Sequence, residues 1–337
     1  MPVRFAISFV PGKPDELARL CASAEDAGYD RIGLVDSQSL YRELWVSCAV
    51  AASHTSRIKI GPRVTNPLTR HPTVTAGATA TLEELAPGRV FLGLGTGDSA
   101  LGNIGLPAAS LGELREATLA MRAILSGKDA VYHGQTCRVG WSGHAVPIYV
   151  AAHGPKALRL AGQIADGVVI GTGLTTDVVA YSLELIAQGA AESGRSLADL
   201  DLWWLLCCNL APNRDAALAE IRMMLAAMGH ILDRQLANPN LVPPQYATAI
   251  QTLCREYVIA EHLMPGAGRK NVQLVQRLGL EEYLAKRFAI AGTADDCLSQ
   301  IERAASAGAN QFWMSIYFPD KLPFIEQWGA RIISRFA

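Results

Sequence analysis

Short runs of apolar, often β-branched residues recur along the chain and predict eight β-strands. The runs occupy residues 4–10, 31–35, 58–61, 90–95, 148–151, 167–170, 202–210 and 311–316. Between them, apolar residues recur at helical spacing. In residues 14–27, for example, Leu17, Leu20 and Ala24 fall on one face, and Gly28 follows where a helix would end. Similar segments predict helices over 73–85, 111–125, 155–164, 177–192, 215–228 and 294–307.

This alternation of strand and helix predicts a parallel sheet covered by helices on both faces, as in α/β proteins. Eight such strands in 337 residues fit a (β/α)8 TIM barrel, so we expect one barrel domain over residues 1–337. Residues 130–147 interrupt the pattern and predict a hairpin that turns at His133 and Gly134. Residues 229–290 contain several prolines and glycines and no clear strand. We interpret them as an insertion between strands seven and eight, over the C-terminal face where barrels bind substrates.

Composition narrows the class of partner. Half of the residues are hydrophobic, and 30 Lys and Arg oppose 31 Asp and Glu. This balance gives no electrostatic case for nucleic acid or an anionic membrane surface, so we expect a small-molecule substrate. The sequence shows neither a signal-peptide pattern nor an apolar run of membrane-spanning length, and we expect a cytoplasmic protein. The seven scattered cysteines and the histidine spacing predict no disulfide framework and no metal site.

Two strand ends within residues 59–105 open into glycines and short polar side chains. The third strand is followed by Thr65 and Asn66, and the fourth ends in Gly95-Thr96-Gly97-Asp98-Ser99. The glycine pattern nearly matches the dinucleotide fingerprint of a Rossmann fold. That fingerprint belongs after the first strand, directly before a helix, with an acidic residue about 20 positions later, and none of these conditions holds here. Such strand ends instead indicate a ligand site of another kind.

Two later strands end in loops suited to an anion. Ala152-His153-Gly154 leads into a helix that begins at Pro155, and Lys156 could reinforce the free amides of its first turn. Gly171-Thr172-Gly173 follows the next strand. On adjacent barrel strands, these loops resemble the phosphate site of many (β/α)8 enzymes. Taken alone, they could equally be two ordinary glycine-rich turns.

Three polar residues near the early strands are candidates for chemistry. Asp36 ends the second strand, where it could hold a hydroxyl or ring nitrogen of a ligand or cap the following helix. His71 could donate to a ligand or cap the next helix, and we favour capping. Arg70 could pair with a carboxylate such as that of Glu83 or Glu84, or meet an anion. Neither a serine nor a cysteine lies in a nucleophile elbow.

Together these segments resemble the bacterial luciferase-like superfamily of flavin- and deazaflavin-dependent oxidoreductases. Within it they are most similar to the methylenetetrahydromethanopterin reductases, which use coenzyme F420. The similar motifs are Ser8-Phe9-Val10-Pro11, AEDAGYDRIGLVD ending at Asp36, GPRVTNPLTRHP, GRVFLGLGTGDSALGNIG, GPKALRLAGQIADG and GTADDCLSQIERAASAGA. The resemblance implies a barrel with an insertion after strand seven and a homodimer formed through helices after the early strands. It also implies a non-proline cis peptide after strand three, for which Arg63–Val64 is the candidate.

The resemblance further implies where a cofactor would bind. Its ring would be surrounded by Asp36, Val64, Thr65, Asn66, Gly97, Asp98 and Ser99, and its phosphate end held by Ala152, His153, Gly154, Lys156, Gly171, Thr172 and Gly173. The candidate catalytic positions are Asp36, Ser8 and His71. Ser8 stands where the reductases have a glutamate proposed to move a proton, and a hydroxyl cannot replace a carboxylic acid in that role.

The resemblance therefore predicts an F420-dependent oxidoreductase that transfers a hydride between C5 of the deazaflavin and a small organic substrate. One alternative is an FMN-dependent luciferase-like monooxygenase. Another is a flavin-binding protein without turnover, because Ser8 and Ser37 replace acid and histidine positions of the reductases. A non-redox isomerase or aldolase acting on a phosphorylated substrate is disfavoured, since the expected lysine or glutamate is missing from the strand ends.

Overall fold

The computed structural model describes residues 2–263 and 266–336. Its strands are β1 (Arg4–Phe9), β2 (Arg31–Leu34), β3 (Lys59–Pro62), β4 (Leu92–Leu94), β5 (Ala130–Tyr132), β6 (Gln135–Cys137), β7 (Ile148–Ala152), β8 (Gly167–Ile170), β9 (Asp201–Leu210), β10 (Ala289–Gly292) and β11 (Gln311–Ser315). Its helices are α1 (Pro14–Asp26), α2 (Leu44–Ser53), α3 (Pro72–Leu85), α4 (Ser99–Gly102), α5 (Leu111–Leu125), α6 (Pro155–Ile164), α7 (Thr176–Glu192), α8 (Arg214–Ile231), α9 (Pro244–Glu256), α10 (Lys270–Arg277), α11 (Glu281–Phe288), α12 (Ala294–Ser306) and α13 (Lys321–Arg331).

The large sheet is a barrel of parallel strands. Its order is β3-β2-β1-β11-β9-β8-β7-β4, and isolated parallel bridges join Ile60 to Val90 and Thr65 to Leu94, which brings β3 against β4. These eight strands are the eight predicted from the apolar runs, so the predicted (β/α)8 fold is confirmed. The predicted hairpin is also present as antiparallel β5 and β6, and His133 and Gly134 both have positive φ at its turn.

Strand β10, helix α2 and helix α13 are among the elements that were not predicted. Strand β10 pairs with residues 207–210 of β9, and Cys207 at the start of this stretch also pairs with Ser315 of β11. Its sequence, AIAG, is too short and too poor in β-branched residues to indicate a strand. Helix α2 is apolar on nearly every side, and so has no helical period to detect. Helix α13 follows the last strand. No helix within the described ranges combines the length and apolarity that a bilayer crossing requires.

Aromatic side chains fill the middle of the barrel. Phe91, Tyr149, Trp203 and Trp313 form a buried cluster, and ring pairs such as Phe91 and Trp313 meet edge to face at 5.4 Å. Outward-facing side chains of the same strands belong to a separate, larger core that includes helix residues. The barrel is therefore a packed solid rather than a pore, which leaves the strand ends as the places for a ligand.

Below the aromatic cluster, toward the amino ends of the strands, the guanidinium of Arg31 is fully buried. It donates to Asp201 at 3.0 Å and to Asp30 at 2.8 Å. Its central carbon lies 4.2 Å from the ring centroid of Trp203 and 5.1 Å from that of Tyr149. The charge is thus neutralised by carboxylates and enclosed by aromatic faces, which is how a protein can bury a guanidinium at modest cost.

Asp201 accepts hydrogen bonds from side chains on several strands of the barrel. It accepts hydrogen bonds from Tyr149 of β7 at 2.7 Å, Gln311 of β11 at 2.8 Å and Arg4 of β1 at 2.9 Å. Burial alone would raise the pKa of Asp201, but the charge of Arg31 and these hydrogen bonds lower it from 3.8 to about 2. One carboxylate therefore joins β1, β2, β7, β9 and β11 at the closed end of the barrel.

We predict that Asp201→Asn lowers the free energy of unfolding by about 3–5 kcal/mol, because it leaves Arg31 as a buried charge with one partner fewer. The folded pKa of Asp201 is depressed, so its contribution is complete above about 3.8 and is lost as the pH falls toward about 2. Urea denaturation at neutral pH and across that acid window measures both effects. The control Glu192→Gln breaks an exposed pair with Arg159 and should cost far less. Equal losses in the two variants would contradict the assignment.

Candidate active site at the carboxyl ends of the barrel strands

The predicted site residues follow the carboxyl ends of five neighbouring barrel strands. Since the strands are parallel, these ends open at one edge of the barrel. The residues are Asp36 after β2, Val64, Thr65 and Asn66 after β3, Gly97, Asp98 and Ser99 after β4, Ala152, His153, Gly154 and Lys156 at the end of β7, and Gly171, Thr172 and Gly173 after β8. The resemblance-based set is thus gathered around one mouth.

Asp36 is held in place by two neighbours. Its carboxylate accepts hydrogen bonds from the hydroxyl of Thr65 at 2.7 Å and from Arg70 at 2.6 Å, and its side chain is 2% exposed. Because Thr65 donates its hydroxyl proton to Asp36, the oxygen of Thr65 keeps its acceptor capacity for another group. The alternative role of Asp36, capping α2, is wrong, since the side chain of Glu43 caps that helix.

Arg70 forms ion pairs other than those predicted. It donates to Asp36 and, at 2.8 Å, to Glu43. The predicted pairing with Glu83 or Glu84 is wrong, because both belong to α3, which runs away from the loop that holds Arg70. Burial acts to lower the pKa of Arg70, but the hydrogen bond and charge of Asp36 raise it above its ordinary value. Asp36 and Arg70 are therefore a charged pair.

The backbone after β3 lies directly against β4. The Arg63–Val64 peptide is cis, as the resemblance implied. The amide of Thr65 donates to the carbonyl of Gly93 at 2.9 Å, and the amide of Gly95 donates to the carbonyl of Thr65 at 2.9 Å. A Cβ at Gly93 would lie 2.2 Å from the carbonyl oxygen of Pro62. Glycine at this position is what permits the close approach.

The loops after β2, β3 and β4 are tied together and within themselves. The side-chain oxygen of Asn66 accepts from the amides of Leu68 and Thr69 at 3.0 and 2.9 Å. The hydroxyl of Ser99 donates to that of Ser37 at 3.0 Å. Asp98 is exposed at the start of the short helix α4. The carboxylate of Asp98 therefore faces the open side of the mouth, whereas the amide oxygen of Asn66 is used inside its own loop.

His71 has the structural role that the sequence favoured. It caps α3 by accepting a hydrogen bond from the amide of Thr73 at 3.3 Å. The ring is exposed and meets Tyr132 of the hairpin edge to face at 5.3 Å. We therefore do not retain His71 as a candidate catalytic residue.

The loops after β7 and β8 lie side by side. Nδ1 of His153 is 3.3 Å from the carbonyl oxygen of Gly171, and a Cβ at Gly171 would lie 2.1 Å from the His153 ring. Gly154 has extended backbone, and a Cβ there would meet nothing within 4 Å. Pro155 begins α6, whose first turn has no side-chain cap, and Lys156 is exposed beside it. The two loops leave an open space bordered by uncapped amides and a cation.

A buried arginine that the sequence did not reveal supports these loops. Arg287, at the end of α11, is 1% exposed and donates to the carbonyl of Thr172 at 2.8 Å and to the hydroxyl of Tyr283 at 2.9 Å. Gly173 has φ +120°, and a Cβ there would lie 2.5 Å from Arg287 Cγ. Gln235 donates to the carbonyl of His153. An arginine at a helix end carries no signal of such contacts, which arise only when the chain folds.

A group of tyrosine and histidine side chains from the segment between β9 and β10 lies near the β4 loop. The hydroxyl of Tyr257 is 2.8 Å from Nδ1 of His262, and the rings of His230 and Tyr257 stack at 4.3 Å. Burial lowers the pKa of His262, while the nearby charge of Asp98 acts in the opposite direction. Residues between β9 and β10 thus contribute titratable groups close to the mouth. Within the described ranges, no group of three or more potential ligands could hold a metal ion.

The fold and the loops at its mouth define a (β/α)8 barrel with a ligand site, and the comparisons show that its relatives are oxidoreductases. A model of the luciferase-like monooxygenases matches residues 3–311, and the chain belongs to this family. It is 31% identical over 360 residues to 5,10-methylenetetrahydromethanopterin reductase of Methanopyrus kandleri, with 99% of each chain covered. It is 35% identical over 231 residues to the F420-dependent glucose-6-phosphate dehydrogenase of Beutenbergia cavernae, with 62% of this chain and 68% of that one covered.

Solved structures agree with the sequence comparison. The coenzyme F420-dependent tetrahydromethanopterin reductase of Methanopyrus kandleri superposes with a TM-score of 0.79 at 28% identity, over 100% of both chains. An F420-dependent secondary alcohol dehydrogenase superposes with a TM-score of 0.75 at 18% identity, over 99% of both chains. The second match concerns the fold alone.

We predict that Gly171→Ala lowers the free energy of unfolding by about 1–3 kcal/mol, because the added methyl group overlaps the His153 ring. Gly154→Ala, in the neighbouring loop, should change it by less than about 0.5 kcal/mol, because its Cβ enters open space. Urea denaturation of both variants makes the comparison. A tolerated Gly171→Ala would show that the His153 ring does not lie against this turn.

Proposed function

We propose that this protein is an F420-dependent oxidoreductase that transfers a hydride between C5 of the deazaflavin and a small organic substrate. The observation that supports this best is the similarity, over nearly the whole chain, to F420-dependent reductases, together with strand-end loops that fit such a cofactor. When bound, the deazaflavin supplies the hydride chemistry. The protein positions the reactants, keeps water out and handles protons.

The phosphate end of the cofactor fits the loops after β7 and β8. The uncapped amides at the start of α6 and the exposed Lys156 offer donors and positive charge to an anion. Gly154 leaves room for a close approach, and Gly171 lets His153 lie against the neighbouring turn. The buried charge of Arg287 lies directly behind Thr172 and adds to the positive potential. We assign Ala152 and Gly173 to the same cradle.

The ring end fits the loops after β2, β3 and β4. Val64, Thr65 and Asn66 would face one part of the ring, and Gly97, Asp98 and Ser99 another. Asp36 accepts a hydrogen bond from the Thr65 hydroxyl, which leaves the Thr65 oxygen free to accept a hydrogen bond from a ring N–H. Asp36 is therefore a positioning residue in this proposal, and Arg70 holds its carboxylate in place.

We further propose that residues 1–337 form one barrel domain in which residues 229–290 are an insertion over the C-terminal face. The hydrogen bond from Gln235 to His153 supports this placement, as does the position of Tyr257 and His262 near Asp98. The substrate pocket would then lie between this insertion and the ring. Its proton-handling groups would come from the insertion and from Asp98, since Ser8 offers only a hydroxyl.

We predict that purified protein binds F420, with FMN as the alternative cofactor to be titrated alongside it. Gly154→Ala should weaken F420 binding by about tenfold or more, because its methyl group separates the α6 amides from the phosphate. Fluorescence titration measures the affinity, and a melting curve shows that the fold is kept. The control Gly140→Ala adds a methyl group to open space in the loop after the hairpin and should change neither property.

Tight FMN binding without F420 binding would overturn the cofactor assignment and favour a monooxygenase. If F420 binds but no carbonyl, imine or enone substrate is turned over, the protein is a flavin-type binding protein instead. These two outcomes are distinct, because the first is decided by affinity and the second by turnover.

We also propose a homodimer that works in the cytoplasm. Helices α2 and α3 pack side by side and expose apolar side chains, among them Val46 at 63% and Val74 at 56%. Exposed apolar residues on adjacent helices are typical of a subunit contact. A cytoplasmic location agrees with seven free cysteines, since oxidising compartments favour disulfides.

We predict that Val46→Asp raises the dimer dissociation constant by about tenfold or more, because it places a charge in the apolar contact. Sedimentation velocity over a range of protein concentrations measures the change. Ile259→Asp is a matched control, since Ile259 is 66% exposed in the segment between β9 and β10, outside α2 and α3. A wild-type protein that stays monomeric at every concentration would overturn the proposal.

A further inference from the structure

The upper layer of the barrel interior contains a buried guanidinium without a counter-charge. Arg63, directly after β3, is 8% exposed, and its Nη2 donates to the hydroxyl of Ser315 at the end of β11 at 2.8 Å. Within residues 2–263 and 266–336, its Nε has no hydrogen-bond partner and no carboxylate pairs with it. Arg31, lower in the same barrel, has two aspartates. The charge of Arg31 is therefore compensated by carboxylates, whereas that of Arg63 is not compensated by any carboxylate in the described part of the chain.

Ser8 of β1 borders the same space. It is 2% exposed, and its hydroxyl also lacks a partner in the described part of the chain. A Cβ at Gly33 would lie 2.5 Å from Cβ of Arg63 and 2.9 Å from the hydroxyl of Ser8. Because Gly33 has no side chain, Arg63, Ser8 and Trp313 can all approach its Cα closely.

We call Ser8, Arg63, Ser315 and Tyr317 the Arg63 pocket, because the hydroxyl of Tyr317 also lies against the guanidinium. Its members come from the ends of β1, β3 and β11, at the same edge of the barrel as the cofactor loops. Every member can donate a hydrogen bond, and none is an anion. Burial without a carboxylate lowers the pKa of Arg63. A ligand that satisfies such a set must bring acceptors and negative charge.

We propose that the Arg63 pocket binds a carboxylate group of the substrate. The planar guanidinium presents parallel donors that match the two oxygens of a carboxylate, and the hydroxyls of Ser8 and Ser315 can complete its hydrogen bonding. This inference rests on the proposed function, because it places the anion next to the hydride-transfer site. Ser8 and Arg63 give this wall one positive charge and no negative one, which suits a substrate that carries an acid group.

The test uses propionate and its uncharged isostere propionamide as probes of the cofactor-free protein at constant ionic strength. Calorimetric or NMR titration should show that wild type binds propionate about tenfold or more tightly than propionamide. Arg63→Met should abolish this preference. The matched control is Arg89→Met, which removes a half-buried arginine at the other end of the barrel that donates to Thr55 and to carbonyl oxygens. The preference should survive in that variant.

Ser8→Asp provides a second route in case Arg63→Met does not fold. It places a carboxylate beside Arg63, so the variant should fold, gain thermal stability and lose the preference for propionate. Equal binding of propionate and propionamide by wild type overturns the proposal, as does a preference that survives in Ser8→Asp.

F420 titration separates the two proposals and the two sources of negative charge. If wild type shows no propionate preference and Arg63→Met weakens F420 binding, the guanidinium serves an anionic ring oxygen or nitrogen of the cofactor, and the substrate assignment is overturned. If wild type prefers propionate but does not bind F420, the proposed function is overturned while the carboxylate pocket is supported.

Discussion

The structure depends on how a closed ring of parallel strands satisfies charges at its amino end. The ion pair between Arg31 and Asp201 satisfies these charges, and Asp201 also accepts hydrogen bonds from β1, β7 and β11. Aromatic faces around Arg31 exclude water and strengthen the pair. This network occupies the amino end of the barrel, and the candidate cofactor loops lie at the opposite end.

Glycine then decides how closely the strands meet at that opposite end. At Gly61 a Cβ would lie 2.0 Å from the carbonyl oxygen of Phe91, and at Gly93 one would lie 2.2 Å from that of Pro62. The β3–β4 contact is made by isolated bridges rather than by a regular ladder. Backbone that is not used in a ladder can turn toward the mouth, and this is where Val64, Thr65 and Asn66 lie.

The fold was predictable because its signals are local. Apolar runs give the eight strands, helical spacing gives seven of the helices, and a turn sequence gives the hairpin. Strand β10 and helix α2 were not predicted. The sequence AIAG is too short to show a pattern, and α2 is apolar on nearly every side. Their positions are set by packing rather than by their own sequences.

The site was predictable only in part. The loops could be found because glycine and short polar residues follow strands, and the resemblance to a known family located the cis peptide. Partners distant in sequence could not be found in this way. Arg70 pairs with Asp36 and Glu43 rather than with Glu83 or Glu84, and Arg287 meets a turn 115 positions earlier in the chain. Such contacts depend on which strands become neighbours.

The two buried arginines make the two ends of the barrel interior differ in how well positive charge is compensated. Arg31 is neutralised by Asp30 and Asp201, whereas Arg63, on the other side of the aromatic cluster, has no carboxylate partner within the described residues. The aromatic cluster that separates them contains no charged side chain. Within the barrel interior, an anionic group is therefore better matched beside Arg63, near the mouth, than at the closed end, where Arg31 already has its carboxylates.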